Sequence, residues 1–484
     1  MFTSFDFMNF VSNLAQYSSL RGKSSDYTLL TGATGLLGGY LLRDLFRDGH
    51  RVAVVVRDSA SMAAADRIES VMQFWESECG KPLPRPVVLP GDVTLPNLGL
   101  SANDKNWVAK HVVRVLHSAA VIRFDSDILS GEPARTNLTG TRNVLNLLRE
   151  TWIQDYHHVS TAFVCGKRET RIYETDLDHG QEFHNAYEQS KFLTEGEIRA
   201  ATDILHRTIY RPTIITADSQ TGFTNTYFGI MWYLKLLAVL VPQQPLDANG
   251  VRQTPIEMPV SGDEPHNLVP VDWVSIVITN LIRNPAARGQ TFHLASPHSL
   301  TMRDALDVCY EHFGSNGVRF VGGDQEAHNE NSTFAQDFFE SSRNYRDYDR
   351  FTPEFDRTNL ELLAGHLPCP RIDREMVRRF LEFGERDCWG KRKKKQRAPE
   401  PRQEMPSALS EMLSPVQEGS LQWLVNGYKH GVGVDLVGPG GGQWRLIPGE
   451  QESGGWRLER GLGHSDLPVK SLTVREFASH LGES

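Results

Sequence analysis

Two hydrophobic periods alternate along the chain. DYTLL (26–30) precedes an apolar-periodic segment that begins at Leu36, and HRVAVVV (50–56) precedes a helical stretch around DRIESVMQFW (66–75). RPVVLPGD (85–92) and VVRVLHSAA (112–120) are short apolar runs that end in small or polar residues. TNLTGTRNVLNLLRE (136–150) has helical spacing, and HHVSTAFV (157–164) reads as a strand leading into a loop. Strand runs alternating with helices predict βαβ units and a parallel sheet. The expected fold class is α/β, a doubly wound parallel sheet with its ligand crevice at the carboxyl ends of the strands.

The pattern changes further on. TGFTNTYFGIMWYLKLLAVLVP (221–242) is apolar and aromatic. It fits either a core helix or the wall of a lipid-sized pocket, and the two are compatible. Residues 243–267 are polar with Gly and Pro and are expected to form a loop near the pocket mouth. FHLASPHSLTMRDALDVCYEHFG (292–314) returns to a strand and a helix, and 354–390 is expected to be helical. The expected division is an N-terminal extension over 1–26 and a main domain over 27–390. Within it, a cofactor part covers about 27–215 and a substrate part about 216–390. A basic, Pro-containing linker follows over 391–403, then a small α+β domain over 404–484. In that last stretch WRL occurs at 444–446 and again at 456–458 around a Gly-rich turn, which predicts a hairpin, and TVREFASHL (473–481) predicts a closing helix.

Composition narrows the classes. The 484 residues carry a net charge of -9, which argues against general nucleic-acid binding. The five cysteines are scattered without a CxxC pair, so neither a disulfide framework nor a zinc or other metal site is indicated. Cys165 is expected to be structural, and Cys79 and Cys309 to lie on helix faces in the core. The first residues lack a signal peptide's basic start, and the longest apolar run, 227–241, is too short to span a membrane. A cytoplasmic protein is expected. The basic run 391–397 reads as a solvated linker, with a peripheral membrane or phosphate contact as the alternative.

Chemistry enters with the glycines. Gly32, Gly35 and Gly38 follow the first strand and open a helix, the arrangement that brings backbone N–H groups to a pyrophosphate. Thr31, Thr34, Leu36 and Leu37 belong to the same Rossmann-type loop. Arg57 ends the second strand, where a dinucleotide's ribose is expected, and an arginine there suits a 2′-phosphate. Arg67 is placed to assist, or else lies on a solvated helix face. The adjacent Asp58 keeps NADH as the alternative to NADPH. Tyr187 and Lys191 are four apart, so a helix puts both on one face. A neighbouring lysine cation is expected to lower the phenol's pKa. Ser160 and Thr161 sit at a strand's carboxyl end, where a hydroxyl can hold a carbonyl oxygen as it gains charge.

These elements, in this order over about 25–300, resemble the extended short-chain dehydrogenase/reductases. GDVTLPNLGLS (91–101), HSAAVIRFD (117–125), HVSTAFVCG (158–166), YEQSK (187–191), RPTIITADSQTG (211–222) and NLVPVDWVS (267–275) are similar to the fatty acyl-CoA reductase and thioester reductase branch. The resemblance implies Thr161, Tyr187 and Lys191 as catalytic residues and NADPH as cofactor. It implies that Asp92 and Val93 lie by the adenine, and that Ser118, Ala119 and Ala120 line the cofactor's path. Pro212 and Thr213 would approach the nicotinamide, and Asn137 would support the lysine or a water chain. The implied reaction reduces an acyl thioester, bound to coenzyme A or to a carrier protein, to an aldehyde or alcohol. The alternatives are a sterol-type or other secondary-alcohol dehydrogenase, a sugar-nucleotide enzyme, or a non-catalytic cofactor- or lipid-binding protein. The C-terminal domain is faintly similar to sterol-carrier-type lipid-binding domains.

Overall fold

The computed structural model describes residues 26–124, 131–322, 327–330, 332–350 and 353–391. Beyond these it describes 422–425, 427–428, 430–439, 441–448, 456–462 and 467–480. The N-terminal extension up to residue 25 and nearly all of the basic run fall outside the described residues.

Six strands alternate with helices as the pattern predicts. They are β1 (Tyr27–Thr31), β2 (Arg51–Val56), β3 (Val87–Pro90), β4 (Val112–His117), β5 (Asp155–Val159) and β6 (His206–Pro212). The intervening helices are α1 (Leu36–Arg47), α2 (Ala64–Cys79), α3 (Ala102–His111), α4 (Gly140–Thr151) and α5 (Ala186–Ala200). The substrate part adds β7 (Ile214–Thr216), α6 (Ile230–Leu240), β8 (Arg252–Met258), β9 (Pro265–His266), β10 (Leu268–Pro270), α7 (Val271–Arg283) and β11 (Thr291–Leu294). It continues with β12 (Leu300–Thr301), α8 (Met302–Phe313), β13 (Ser315–Phe320), α9 (Thr333–Ser342), α10 (Thr358–Ala364) and α11 (Arg374–Arg386).

A seven-stranded parallel sheet runs β11-β6-β5-β4-β1-β2-β3. Its strands are buried on both faces, which is why they read as unbroken apolar runs. Leu30, Val52 and Val54 join a core with α1, α2 and α7. Their neighbours Leu29, Ala53 and Val55 join an opposite core with α3, α4 and α5. The strand order reverses between β1 and β4, and such a switch point opens a crevice at the carboxyl edge.

A third core holds the substrate part together, drawn from α6, α8, α9, α11 and β8. Here the expectation of a loop over 243–267 is corrected. Residues 252–258 form β8, which pairs in parallel with β13, and 265–266 form β9 against β12. The fifth strand is also shorter than its apolar run. It stops at Val159, and Ala162–Cys165 form a 3-10 turn. Cys165 and Cys309 are buried, but Cys79, at the last position of α2, is only half-buried.

The C-terminal segment builds a four-stranded sheet of β14 (Val432–Val437), β15 (Gly442–Pro448), β16 (Trp456–Arg460) and β17 (Val469–Thr473), in the order β16-β15-β14-β17. The WRL repeats meet across the predicted hairpin, with Leu446 opposite Leu458. The helix over Val474–His480 follows β17. Among the described residues no helix is long and apolar enough to cross a membrane.

Candidate active site

The loop after β1 is shaped by two glycines. Gly32 has φ +81°, and a Cβ there would lie 2.7 Å from the Ala119 nitrogen at the end of β4. A Cβ on Gly38, inside α1, would fall 1.9 Å from the Gly32 carbonyl oxygen. Neither position has room for a side chain. The close approach leaves Gly32, Gly35, Leu36, Leu37 and Gly38 lining a cavity of about 400 Å³, with the start of α1 turned to it. A helix start offers unpaired N–H groups and a favourable dipole to a phosphate, and the glycine cradle fits a dinucleotide pyrophosphate.

Thr31 fastens this loop from behind. Its hydroxyl lies 2.7 Å from His117 Nδ1 and accepts the Ala119 N–H at 3.3 Å. His117 is buried, with Nε2 3.2 Å from Thr141. Burial, with Lys191 nearby, holds its imidazole down at about 3, so it is neutral. The group works as a hinge pin between β1, β4 and α4.

At the end of β2, Arg57 is exposed, 3.9 Å from Asp92. Arg67 donates to the Arg57 carbonyl at 2.6 Å and to the Thr34 hydroxyl at 3.2 Å. Burial and the Arg57 charge lower the Arg67 pKa, the sign of two cations crowded together. Asp58 acts on the Arg67 charge in the opposite sense, and its carboxylate accepts the Ala64 N–H at the start of α2, 2.7 Å away.

Thr161, Tyr187 and Lys191 come together where β5 ends and α5 begins. Asn185 caps α5 by accepting the Glu188 N–H at 3.0 Å, which sets Tyr187 in the first turn. Thr161 is buried at the end of β5, and its hydroxyl accepts the Phe163 N–H at 3.3 Å. Lys191, one turn on, is buried and donates to the Val159 carbonyl at 2.8 Å. Desolvation lowers the Lys191 pKa to about 8, opposed by Glu195. The Tyr187 phenol is pushed above its usual range by burial and by Glu188, and Thr161 pulls the other way. The expected lowering of Tyr187 by Lys191 is therefore corrected: burial and Glu188 raise the phenol, and the Lys191 ammonium is engaged by the Val159 carbonyl. Ser160, Thr161, Tyr187, Lys191, Pro212 and Thr213 line the same cavity as the glycine loop, and so do Ser118 and Ala120.

Residues 30–278 match the male sterility protein family of NAD-binding domains. The chain belongs to this family. By family it is an extended short-chain dehydrogenase/reductase, and a family of NAD-binding domains supports a nicotinamide dinucleotide as its cofactor. The chain is 28% identical over 285 residues to a linear gramicidin synthase of Brevibacillus parabrevis, matching 57% of this chain and 5% of that protein. It is 31% identical over 224 residues to fatty acyl-CoA reductase wat of Drosophila melanogaster, matching 44% of this chain and 39% of that one. The chain thus spans well under two thirds of these curated relatives. Among solved structures, the terminal R domain from the myxalamid PKS-NRPS biosynthetic pathway aligns with a TM-score of 0.61 and 26% identity. That alignment covers 76% of this chain and 93% of the other.

Several residues named from sequence stand behind the cavity rather than in its wall. Asn137 is one. Its side chain accepts the Val121 N–H and donates to the Val121 carbonyl and to Ser190, clamping the segment after β4 to α5. It makes no hydrogen bond to Lys191, whose ammonium donates to the Val159 carbonyl instead. Val93 packs against Gly140, and its carbonyl accepts from Asn143 at 2.9 Å. Asp92 accepts from Thr94 and holds its own loop.

The apolar segment 221–242 contributes to the core and to the cavity wall at once. Met231, Leu234 and Leu237 are core residues that also line the cavity. Sequence reasoning missed much of the remaining wall, Phe124, Met258, His266, Tyr345, Tyr348 and Asp349 among it. Cys309, expected as a core residue, lines the cavity as well.

Proposed function

We propose that this protein is an NADPH-dependent reductase that converts an acyl thioester to an aldehyde, with a second reduction leading to the alcohol. One observation carries the reading. The Thr161–Tyr187–Lys191 group and the glycine loop share a single cavity whose remaining wall is mostly apolar. A cofactor and an acyl chain can then meet at the phenol.

A bound nicotinamide supplies a hydride to the thioester carbonyl carbon. Thr161 donates a hydrogen bond to the carbonyl oxygen as it becomes an oxyanion. Tyr187 gives that oxygen its phenolic proton. The buried Lys191 ammonium stabilises the phenolate left behind. The resulting hemithioacetal then expels the thiol and leaves the aldehyde. Gly32, Gly35 and Gly38 with the start of α1 hold the pyrophosphate, and Asn137 keeps the wall of the site in place.

Arg57 and Arg67, with Thr34 beside them, support NADPH over NADH. Two cations share one exposed strand end, and the nearby acid Asp58 is tied to α2. Changing Arg57→Glu should weaken NADPH binding by about tenfold or more while sparing NADH, since a charge-assisted phosphate contact is worth roughly 1.5–3 kcal/mol. Equal kinetics of the unmodified protein with both cofactors would overturn this assignment. The likeness to a fatty acyl-CoA reductase supports a coenzyme A thioester, and the likeness to a terminal R domain of a PKS-NRPS pathway supports a carrier-bound one.

The test is NADPH consumption with acyl-CoAs of graded chain length and with the same acyl groups on a carrier protein, products being identified by mass spectrometry. Aldehyde or alcohol formation that Tyr187→Phe abolishes is expected. Tight NADPH binding without turnover of any thioester would reject the reading.

A further inference from the structure

The cavity's mostly apolar wall contains a carboxylate. Among the described lining residues, the full charges are Lys191 and Asp349, and Lys191 belongs to the reducing centre. Asp349 is 9% exposed, and its carboxylate accepts the Tyr233 hydroxyl at 2.7 Å. Arg346 and Arg350 act on it only at longer range, and Asp347 opposes them. Burial raises its pKa to about 7, the mark of a carboxylate short of compensating charge. A pocket shaped only for a hydrocarbon would gain nothing from this residue, because a buried charge without a cation is costly.

Asp349 is physically joined to the reducing centre. It directly follows Tyr348, whose hydroxyl donates to Glu188 at 2.6 Å, beside Tyr187. A run of ring contacts makes the same connection. Tyr187 meets Phe124 with centroids 6.4 Å apart, Phe124 meets Tyr345 at 5.4 Å, and Tyr345 meets Tyr233 at 6.0 Å. A carboxylate at the end of an aromatic wall is the arrangement that binds an organic cation, by charge and by the ring faces.

We propose that Asp349 and Tyr233 form a recognition site for a protonated amine on the acyl group. This rests on the thioester reductase reading and adds a specificity to it: the preferred acyl chain carries an amino group where a fatty acid has only hydrocarbon.

The experiment compares a series of octanoyl-CoA thioesters with the amine moved stepwise along the chain. Each is measured against its methyl and hydroxyl counterparts in the unmodified protein, Asp349→Asn and Tyr233→Phe. Asparagine still offers a carbonyl to the Tyr233 hydroxyl, so the tie to α6 survives while the charge is lost. At one or more positions the unmodified protein should favour the amine in kcat/KM. Asp349→Asn should remove that preference by roughly 10- to 100-fold, as expected for a hydrogen bond to a charged group. The readout is the ratio of amine to methyl kcat/KM, which Asp349→Asn should bring towards one. The preference should also fall as pH drops below about 7 and Asp349 takes up its proton.

Equal losses for amine and methyl substrates would show that Asp349 only holds Tyr233, and would overturn the proposal. So would equal use of the hydroxyl compound. Turnover of plain octanoyl-CoA reports separately on the reductase reading. If no thioester is turned over, octylamine against octanol in thermal-shift binding decides instead. Stabilisation by the amine that Asp349→Asn abolishes supports the site, and its absence rejects it.

Discussion

At the residue scale, burial governs the charges of the proposed reducing centre. Lys191 is enclosed, and its pKa falls to about 8, while Tyr187 rises. The phenol therefore keeps its proton across the neutral range, as a proton donor must. Tyr187→Phe should cut turnover by about 10²–10⁴-fold, the usual worth of a positioned proton donor, while cofactor affinity changes little. A fluorescence titration with NADPH beside the rate assay checks both halves. Lys191 makes a second prediction. In the unfolded chain a lysine titrates near ~10.4, so between about 8 and that value the unfolded state holds a proton that the folded state has released. Stability then rises with pH across this window and is flat below it. Lys191→Met lacks the dependence. Thermal unfolding of the cofactor-free proteins should show the difference between them moving in favour of the unmodified protein as pH rises above about 8. Parallel pH curves would mean that Lys191 is not desolvated.

At the element scale, the glycine loop gives a contrast between neighbours. Gly38→Ala would drive a Cβ to 1.9 Å from the Gly32 carbonyl, so either β1 or α1 must move. A loss of at least ~1–3 kcal/mol is expected from such overpacking, with cofactor binding lost too. Gly39→Ala meets nothing closer than 3.7 Å. It should be neutral or stabilising by up to ~1 kcal/mol, because alanine favours helix. Chemical denaturation of the two variants tests the sign of each. This loop, the alternating strands and the Tyr187–Lys191 spacing were legible because each is a local pattern. The β8 strand carries a similar signal, with Thr254, Ile256 and Met258 buried in alternation. Pro255 and the flanking polar residues disguise it, and a two-stranded pair tolerates proline on its outer side. The remaining cavity wall was not legible. Tyr348 meets Glu188 from 160 residues away, and Tyr345 reaches Phe124 only through the fold. No periodicity encodes such contacts.

At the scale of the whole molecule, the sequence predicts a separate C-terminal domain after a linker, yet polar contacts join that sheet to the reductase. The buried Tyr27 hydroxyl, at the start of β1, donates to Gln443 at 2.8 Å and accepts the Leu462 N–H at 2.9 Å. Trp107 stacks edge-on against Tyr27 and donates to the Arg460 carbonyl at 3.0 Å, and Arg460 pairs with Asp104 at 2.9 Å. These contacts gather at the end of the sheet opposite the glycine loop, so the joint can bear on stability without touching the chemistry. Tyr27→Phe keeps the ring and deletes only the hydroxyl. It leaves a buried carbonyl and a buried N–H without their partner, at about 1–3 kcal/mol for each. If the sheet and the reductase unfold as one unit, calorimetry should show a single transition moved to lower temperature, with NADPH binding at low temperature unchanged. A reductase transition that stays in place while a smaller one shifts alone would mean the two parts fold independently, and that the joint contributes nothing to the larger domain.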